Sequence, residues 1–197
     1  MKKSIVSLFN NESDSIPIWF LRQSGRHIPE YFEIRSRSRN FIDFCTNTDL
    51  IVKSTKLPLK YYDLDAAIVF SDILMIPWAM NRNVRFKEDI GPLLDPMIPG
   101  NTKIIKNIDI NQKLKPLGRA ISVLKDDLPD DISLIGFAGA PWTLACYMIE
   151  GKGSKDFIKT RTAVWGSSKW FFELIDTLID YVAQKLEIQA NAGADVL

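Results

Sequence analysis

Arg22 and Arg26 lie four positions apart in the segment Ile16-Pro-Ile-Trp-Phe-Leu-Arg-Gln-Ser-Gly-Arg-His-Ile-Pro-Glu-Tyr31, with Gly25 between them. A guanidinium fork donates two parallel charge-assisted hydrogen bonds, so such a pair suits carboxylates. Ile16 to Leu21 reads as a buried strand, which puts both arginines just beyond its carboxyl end. Parallel α/β folds bind ligands at that place. The alternative is surface ion pairing with Glu30 and Glu33, which contributes little. Asp72 is the only charged residue from Ala66 to Met80 and follows a second strand candidate, Ala66 to Phe70. A carboxylate in apolar surroundings is costly unless hydrogen-bonded. Asp72 therefore either caps the next turn or faces a ligand that brings donors. A third segment, Gly136-Phe-Ala-Gly-Ala-Pro-Trp-Thr-Leu-Ala-Cys-Tyr-Met-Ile-Glu-Gly151, turns from strand to helix through glycine. Thr143 and Tyr147 sit one helical turn apart, so their hydroxyls share a side; packing is the alternative role for Tyr147. Neither GxxxxGK[ST] nor GxGxxG is present, so this is not a phosphate loop.

The elements that must hold these residues alternate between short apolar runs and helices. Glu30 to Arg39 reads as a charged helix, and Thr48 to Tyr62 as a helix broken near Leu57 by Pro58. Asn83 to Phe86 reads as a surface strand, half of a hairpin. Lys115 to Asp127 forms an amphipathic helix with Leu117, Ile121 and Leu124 on one stripe. Ile132 to Phe137 is a third buried strand. Pro141 to Glu150 is a helix entered through proline and stopped by Gly151. Ser168 to Asn191 is a longer helix with Phe171, Leu174, Ile175, Leu178 and Val182 on its apolar face, ended by Gly193. Ala194 to Leu197 begins another strand. This repetition predicts an α/β fold with parallel strands. An eight-unit barrel needs ~250 residues; these 197 residues, read as one domain, show about four core strands, so either the chain is a fragment of such a fold or something else completes the sheet.

Composition narrows the partners. The chain is 46% hydrophobic, with 25 basic and 24 acidic side chains and a formal net charge of +1, so it lacks the broad positive field of a non-specific nucleic-acid binder. Arg35, Arg37 and Arg39 form the one charge run, read as a solvated helix face rather than a phosphate patch. Cys45 and Cys146 lack CxxC spacing, which favours a reducing cytoplasm over a disulfide framework. Met1 to Asn11 is not patterned as a signal peptide. No run approaches ~18 apolar residues, so no membrane span is expected.

The three segments, in this order, resemble the signature regions of uroporphyrinogen decarboxylases. Pro17-Ile-Trp-Phe-Leu-Arg-Gln-Ser-Gly-Arg26 is similar to the family's first signature, Gly136-Phe-Ala-Gly-Ala-Pro-Trp-Thr-Leu144 to its second, and Phe70-Ser-Asp-Ile-Leu74 to the segment carrying its essential aspartate. The likeness runs from about Ser15 to the end. It implies the N-terminal half or more of a (β/α)8 TIM-type barrel, incomplete as written. It also implies conversion of uroporphyrinogen III to coproporphyrinogen III without a cofactor or metal, in the cytoplasm, by a homodimer.

On this resemblance Arg22 and Arg26 bind substrate carboxylates, with Gln23, Ser24 and Gly25 lining the same loop. Asp72 accepts hydrogen bonds from the pyrrole N–H groups, and Tyr147 meets a substrate carboxylate. Asp72, Arg22 and Arg26 are the catalytic candidates. Two departures stand out. His27, the only histidine, occupies a position where the family commonly has tyrosine. A serine or threonine and a histidine that the family draws from later strands have no counterpart before Leu197. The competing readings are a related corrinoid or thiol methyltransferase holding zinc through His and Cys, a non-catalytic tetrapyrrole-binding remnant, and nucleic-acid binding through the Arg35–Arg39 stretch.

Overall fold

The computed structural model describes residues 4–12, 16–87, 90–166 and 168–197; Ser15, where the sequence resemblance begins, lies outside them. The chain divides into two compact units. One comprises Met1–Ser71, Leu114–Phe137 and Leu186–Leu197, the other Asp72–Lys113 and Ala138–Lys185.

In the first unit, strand β1 (Ala66–Ile68) pairs in parallel with β2 (Ser133–Ile135), in the register Ala66↔Ser133, Ala67↔Leu134 and Ile68↔Ile135. Val196 adds a parallel bridge to Ile135, so a third chain segment joins the same ladder. Small residues on β1 let helices approach: Ala66 and Ala67 are fully buried. Helix α1 (Asn111–Asp127) lays Leu117, Ala120, Ile121 and Leu124 against Ala67, Val69 and Leu134, and helix α2 (Thr48–Lys56) adds Ile51. Burial of each such aliphatic side chain contributes roughly 1.5–3 kcal/mol. Asn47 caps α2 by accepting from the Leu50 N–H, and Pro58 converts its end into a 3-10 turn, Leu57–Lys60. The break near Leu57 is where the sequence placed it.

Ile16 to Leu21 is not a buried strand. Ile16 is 86% and Leu21 92% exposed. Ile18 is tied down through its backbone, its N–H donating to Asp65 Oδ2 at 2.7 Å and its carbonyl accepting from the Asp65 N–H at 2.9 Å. The reason lies at β1. Gln23 Nε2 donates to the Ala66 carbonyl at 2.7 Å, and Gln23 Oε1 accepts from the Ile68 N–H at 2.8 Å. A side-chain amide thus satisfies backbone groups that a neighbouring strand would otherwise take.

The charged helix after this loop is shorter than its composition suggests, running Pro29–Ser36. Arg35 in the helix and Arg39 beyond it are engaged locally. Arg35 lies over the Phe41 and Phe44 rings, 5.6 and 5.5 Å from their centroids, and donates to Ser38 Oγ. Arg39 pairs with Asp43 at 3.2 Å. The Arg39 side chain, then its backbone N–H, hold the Asp43 carboxyl below its ordinary range. In the second unit Lys106 does the same for Glu173. A folded pKa below the unfolded one adds stability above the ordinary carboxylate pKa and loses it as pH falls through the depressed value. Melting temperature is therefore expected to hold from pH 7 to 5 and to drop below about pH 4. Asp43→Asn should flatten part of that acid limb; an unchanged limb would remove Asp43 from it.

The second unit holds an antiparallel hairpin of Arg85–Lys87 and Gly91–Leu93, in register Phe86↔Pro92. This agrees with the expected surface strand. Helix α3 (Pro141–Glu150) starts with proline and ends at Gly151, whose φ of +79° is left-handed. A Cβ there would also lie 2.9 Å from the Leu94 carbonyl oxygen. The Leu94 N–H donates to the Gly151 carbonyl, and the Met97 N–H to the Met148 carbonyl, both at 2.7 Å. Helix α4 (Lys169–Ala192) runs through both units. No helix among the described residues is long and apolar enough to cross a membrane.

Candidate active site

Residues 22–26 belong to the first unit. Their loop is anchored by the buried Gln23 amide, so Gln23, expected to line the substrate site, spends both ends of its side chain on β1. On either side of that anchor Arg22 and Arg26 are exposed. Among the described residues neither side chain makes a hydrogen bond or ion pair, so the expected alternative pairing with Glu30 and Glu33 does not occur. Glu30 instead accepts from the Tyr61 hydroxyl, which holds its carboxyl below the ordinary range. The field of the arginines reaches Tyr31. Burial pushes its hydroxyl up, and Arg35, Arg26 and Arg22 pull it back down. Ser24 carries an enclosed hydroxyl without a hydrogen-bond partner among the described residues. Gly25 is partly exposed, with the His27 ring near the position a Cβ would take. His27 is exposed and lies beside Tyr62, their ring centroids 6.3 Å apart.

Asp72 and Tyr147 belong to the second unit. Asp72 Oδ1 accepts from the Leu74 N–H at 2.8 Å and the Asp72 carbonyl from the Met75 N–H at 3.3 Å. Met75 opens the short helix Met75–Ala79, so one carboxylate oxygen shapes the turn into it. Of the two alternatives raised by the sequence, a turn-holding role is present, although the N-cap of the helix that follows is Leu74 and not Asp72. Lys185, fully buried on α4, donates from Nζ to the Asp72 carbonyl at 3.3 Å. The glycine loop packs against the next residue: a Cβ on Gly139 would lie 2.9 Å from Ile73 Cβ. On α3 the partly exposed positions include Thr143, Tyr147 and Glu150, the spacing of one helix face. The Tyr147 hydroxyl makes no hydrogen bond among the described residues.

Lys185 and Gln189 escaped the sequence reading. Gln189, also fully buried, accepts from the Phe137 N–H and donates to the Phe137 carbonyl, both at 3.0 Å. The signal was present in the spacing. The buried residues of α4 include Phe171, Leu174, Leu178 and Tyr181, and the same stripe continues through Lys185 and Gln189. Polar side chains on a buried stripe must have partners.

Two guanidinium groups on one loop of the first unit are without hydrogen bonds or ion pairs among the described residues, and Asp72 of the second unit lies in an otherwise apolar turn. The family model of uroporphyrinogen decarboxylase (URO-D) matches residues 2–197, and the chain belongs to that family. A uroporphyrinogen decarboxylase of Rickettsia rickettsii (strain Sheila Smith) is 42% identical over 195 residues, 99% of this chain and 56% of the relative's length. One from Maricaulis maris (strain MCS10) is 41% identical over 197 residues, 100% of this chain and 57% of the relative. The chain thus spans about half the length of the curated relatives it matches. Among solved structures, a methyltransferase from Methanosarcina mazei superposes with a TM-score of 0.74 at 15% identity, covering 98% of this chain and 56% of that one. That likeness is one of fold. Among the described residues no three His, Cys, Asp or Glu side chains come together as a metal site would require.

Proposed function

We propose that the protein carrying this chain decarboxylates uroporphyrinogen III to coproporphyrinogen III, and that its residues contribute to part of a (β/α)8 barrel. The observation that carries this reading is the Arg22–Arg26 loop, with two exposed guanidinium groups left without internal partners on an anchored turn. The substrate is a polyanion with pyrrole N–H donors. Arg22 and Arg26 take its carboxylates, Tyr147 meets another, and Asp72 accepts from the pyrrole N–H groups. Ser24 and Gly25 line the arginine loop, while Gln23 holds it in place.

Decarboxylation needs an electron sink. Here the substrate provides it. A proton adds to the pyrrole α-carbon next to the ring carbon that bears the acetate, giving a ring cation with positive charge shared by the acetate-bearing carbon and the nitrogen. The bond from the acetate methylene to the carboxylate breaks, carbon dioxide leaves, and the electron pair forms an exocyclic double bond that quenches the cation. Protonation of the methylene and loss of the ring proton leave a methyl group, with one proton consumed per carbon dioxide. The fixed anion of Asp72 lowers the energy of the cation, and an arginine of the first loop is the candidate proton donor. The reading places the reaction in the cytoplasm, in a homodimer.

The test is anaerobic incubation of the protein, as its gene encodes it, with uroporphyrinogen III, followed by oxidation and separation of the porphyrins. Successive loss of up to four carboxyl groups is expected. Unchanged uroporphyrin, with no binding of uroporphyrinogen by equilibrium dialysis, would overturn the decarboxylase reading. Binding without turnover would mark a tetrapyrrole-binding protein instead.

A further inference from the structure

Lysine is rarely found at zero exposure, because an ammonium taken from water costs several kcal/mol unless its donors are used. Lys185 stands at 0% exposure in the middle of α4, on a stripe where leucine or methionine would pack without that cost. Its Nζ reaches the carbonyl of Asp72 at 3.3 Å, bridging 113 positions of sequence within one compact unit. The same residue is held at two further points, by the Leu74 N–H on Oδ1 and by the Met75 N–H on its carbonyl. Leu74, Met75 and Lys185 thus all donate to Asp72, and of these Lys185 comes from a distant element and carries a full charge.

We propose that Lys185 is a positioning residue for the decarboxylation, anchoring the Asp72 peptide and setting a buried positive charge next to that peptide. The inference rests on the decarboxylase reading and adds a group to it. Local hydrogen bonds fix the shape of the turn but not its place against the helix behind it. The ammonium fixes that place, and its field favours the anionic carboxylate that the ring cation requires. Because Lys185 acts through Asp72, it contributes to the reacting state more than to substrate capture.

The experiment compares Lys185→Met and Lys185→Arg in the protein as encoded, in the wild-type and Asp72→Asn backgrounds. Lys185→Met should lower kcat about 10–100-fold, the usual cost of removing a group that orients a reacting residue, with KM moved less than about threefold. Lys185→Arg, which keeps the cation, should recover most of the loss. In the Asp72→Asn background the Met substitution should cost less than about threefold more, since the carboxylate that Lys185 serves is already gone although the carbonyl it binds remains. Turnover by wild type together with unimpaired kcat in Lys185→Met would overturn this inference and leave the decarboxylase reading standing. Multiplicative losses, a rise in KM alone, or failure of both single variants to fold would assign Lys185 to packing and also overturn it. A wild-type protein that neither binds nor decarboxylates uroporphyrinogen would remove both readings together.

Discussion

Replacing Asp72 by Asn should lower decarboxylation about 10²–10³-fold, the usual cost of removing a preorganised charged contact at a developing charge, while the protein stays folded. The structural part of the side chain survives the change. Its Oδ1 accepts from the Leu74 N–H at 2.8 Å, and an amide oxygen accepts the same bond. The carbonyl that receives Met75 N–H and Lys185 Nζ is untouched. What is lost is the negative charge. An amide can still accept from a pyrrole N–H, so substrate binding should fall much less than kcat. Circular dichroism and a melting curve matching wild type, with kcat reduced and KM little changed, is the expected combination. Near-normal turnover by Asp72→Asn would rule out an electrostatic role for this residue and return it to its turn.

The structure also shows which kinds of pattern could be read from the sequence. Helices with clear termini and an apolar stripe were legible. Pro141 and Gly151 bound α3 at the expected residues, and Leu117, Ile121 and Leu124 lie on the buried face of α1. Asp127, the expected end of α1, is its last residue, whereas its start at Asn111 lies four residues before the expected Lys115. Pro116 is the sixth residue of the helix, past the leading N–H groups that lack intrahelical partners, so the helix forgoes one internal hydrogen bond there. Ile16 to Leu21 failed for another reason. An apolar run between polar turns looks like a strand, but its burial depends on what lies beside it, and a glutamine amide occupies the hydrogen-bonding groups of β1. Local composition carries no information about such a substitution. The site was legible as segments rather than as an arrangement. Arg22, Arg26, Asp72 and Tyr147 stood out by type and setting, whereas Gln23 acts on backbone, and Lys185 and Gln189 looked like ordinary polar members of an amphipathic helix. Their meaning appears only when the stripe through Tyr181 is followed to its end.

Removing both guanidinium groups, in Arg22→Met/Arg26→Met, should weaken productive binding of uroporphyrinogen by about 10²–10⁴-fold. A hydrogen bond to a charged group contributes about 1.5–3 kcal/mol, or roughly 10–150-fold for each arginine at about 1.4 kcal/mol per decade. On the proposed reading that the two arginines take separate carboxylates, their effects should approach additivity. The fold should not suffer, because both side chains are exposed and neither makes a hydrogen bond or ion pair among the described residues. The anchor of the loop is Gln23, which the substitutions leave alone. The loss should fall mainly on kcat/KM. A drop confined to kcat in a single-arginine variant would instead mark that arginine as the proton donor. Arg22→Lys/Arg26→Lys separates charge from geometry. Lysine keeps the positive field but not the planar fork that matches a carboxylate with two parallel bonds. Partial recovery of affinity is therefore expected, together with a steeper loss as ionic strength rises, since point-charge attraction at an exposed site is screened over about 10 Å in 0.1 M salt. Wild-type affinity in the double Met variant would show that the carboxylates are held elsewhere and that this loop is only a surface turn.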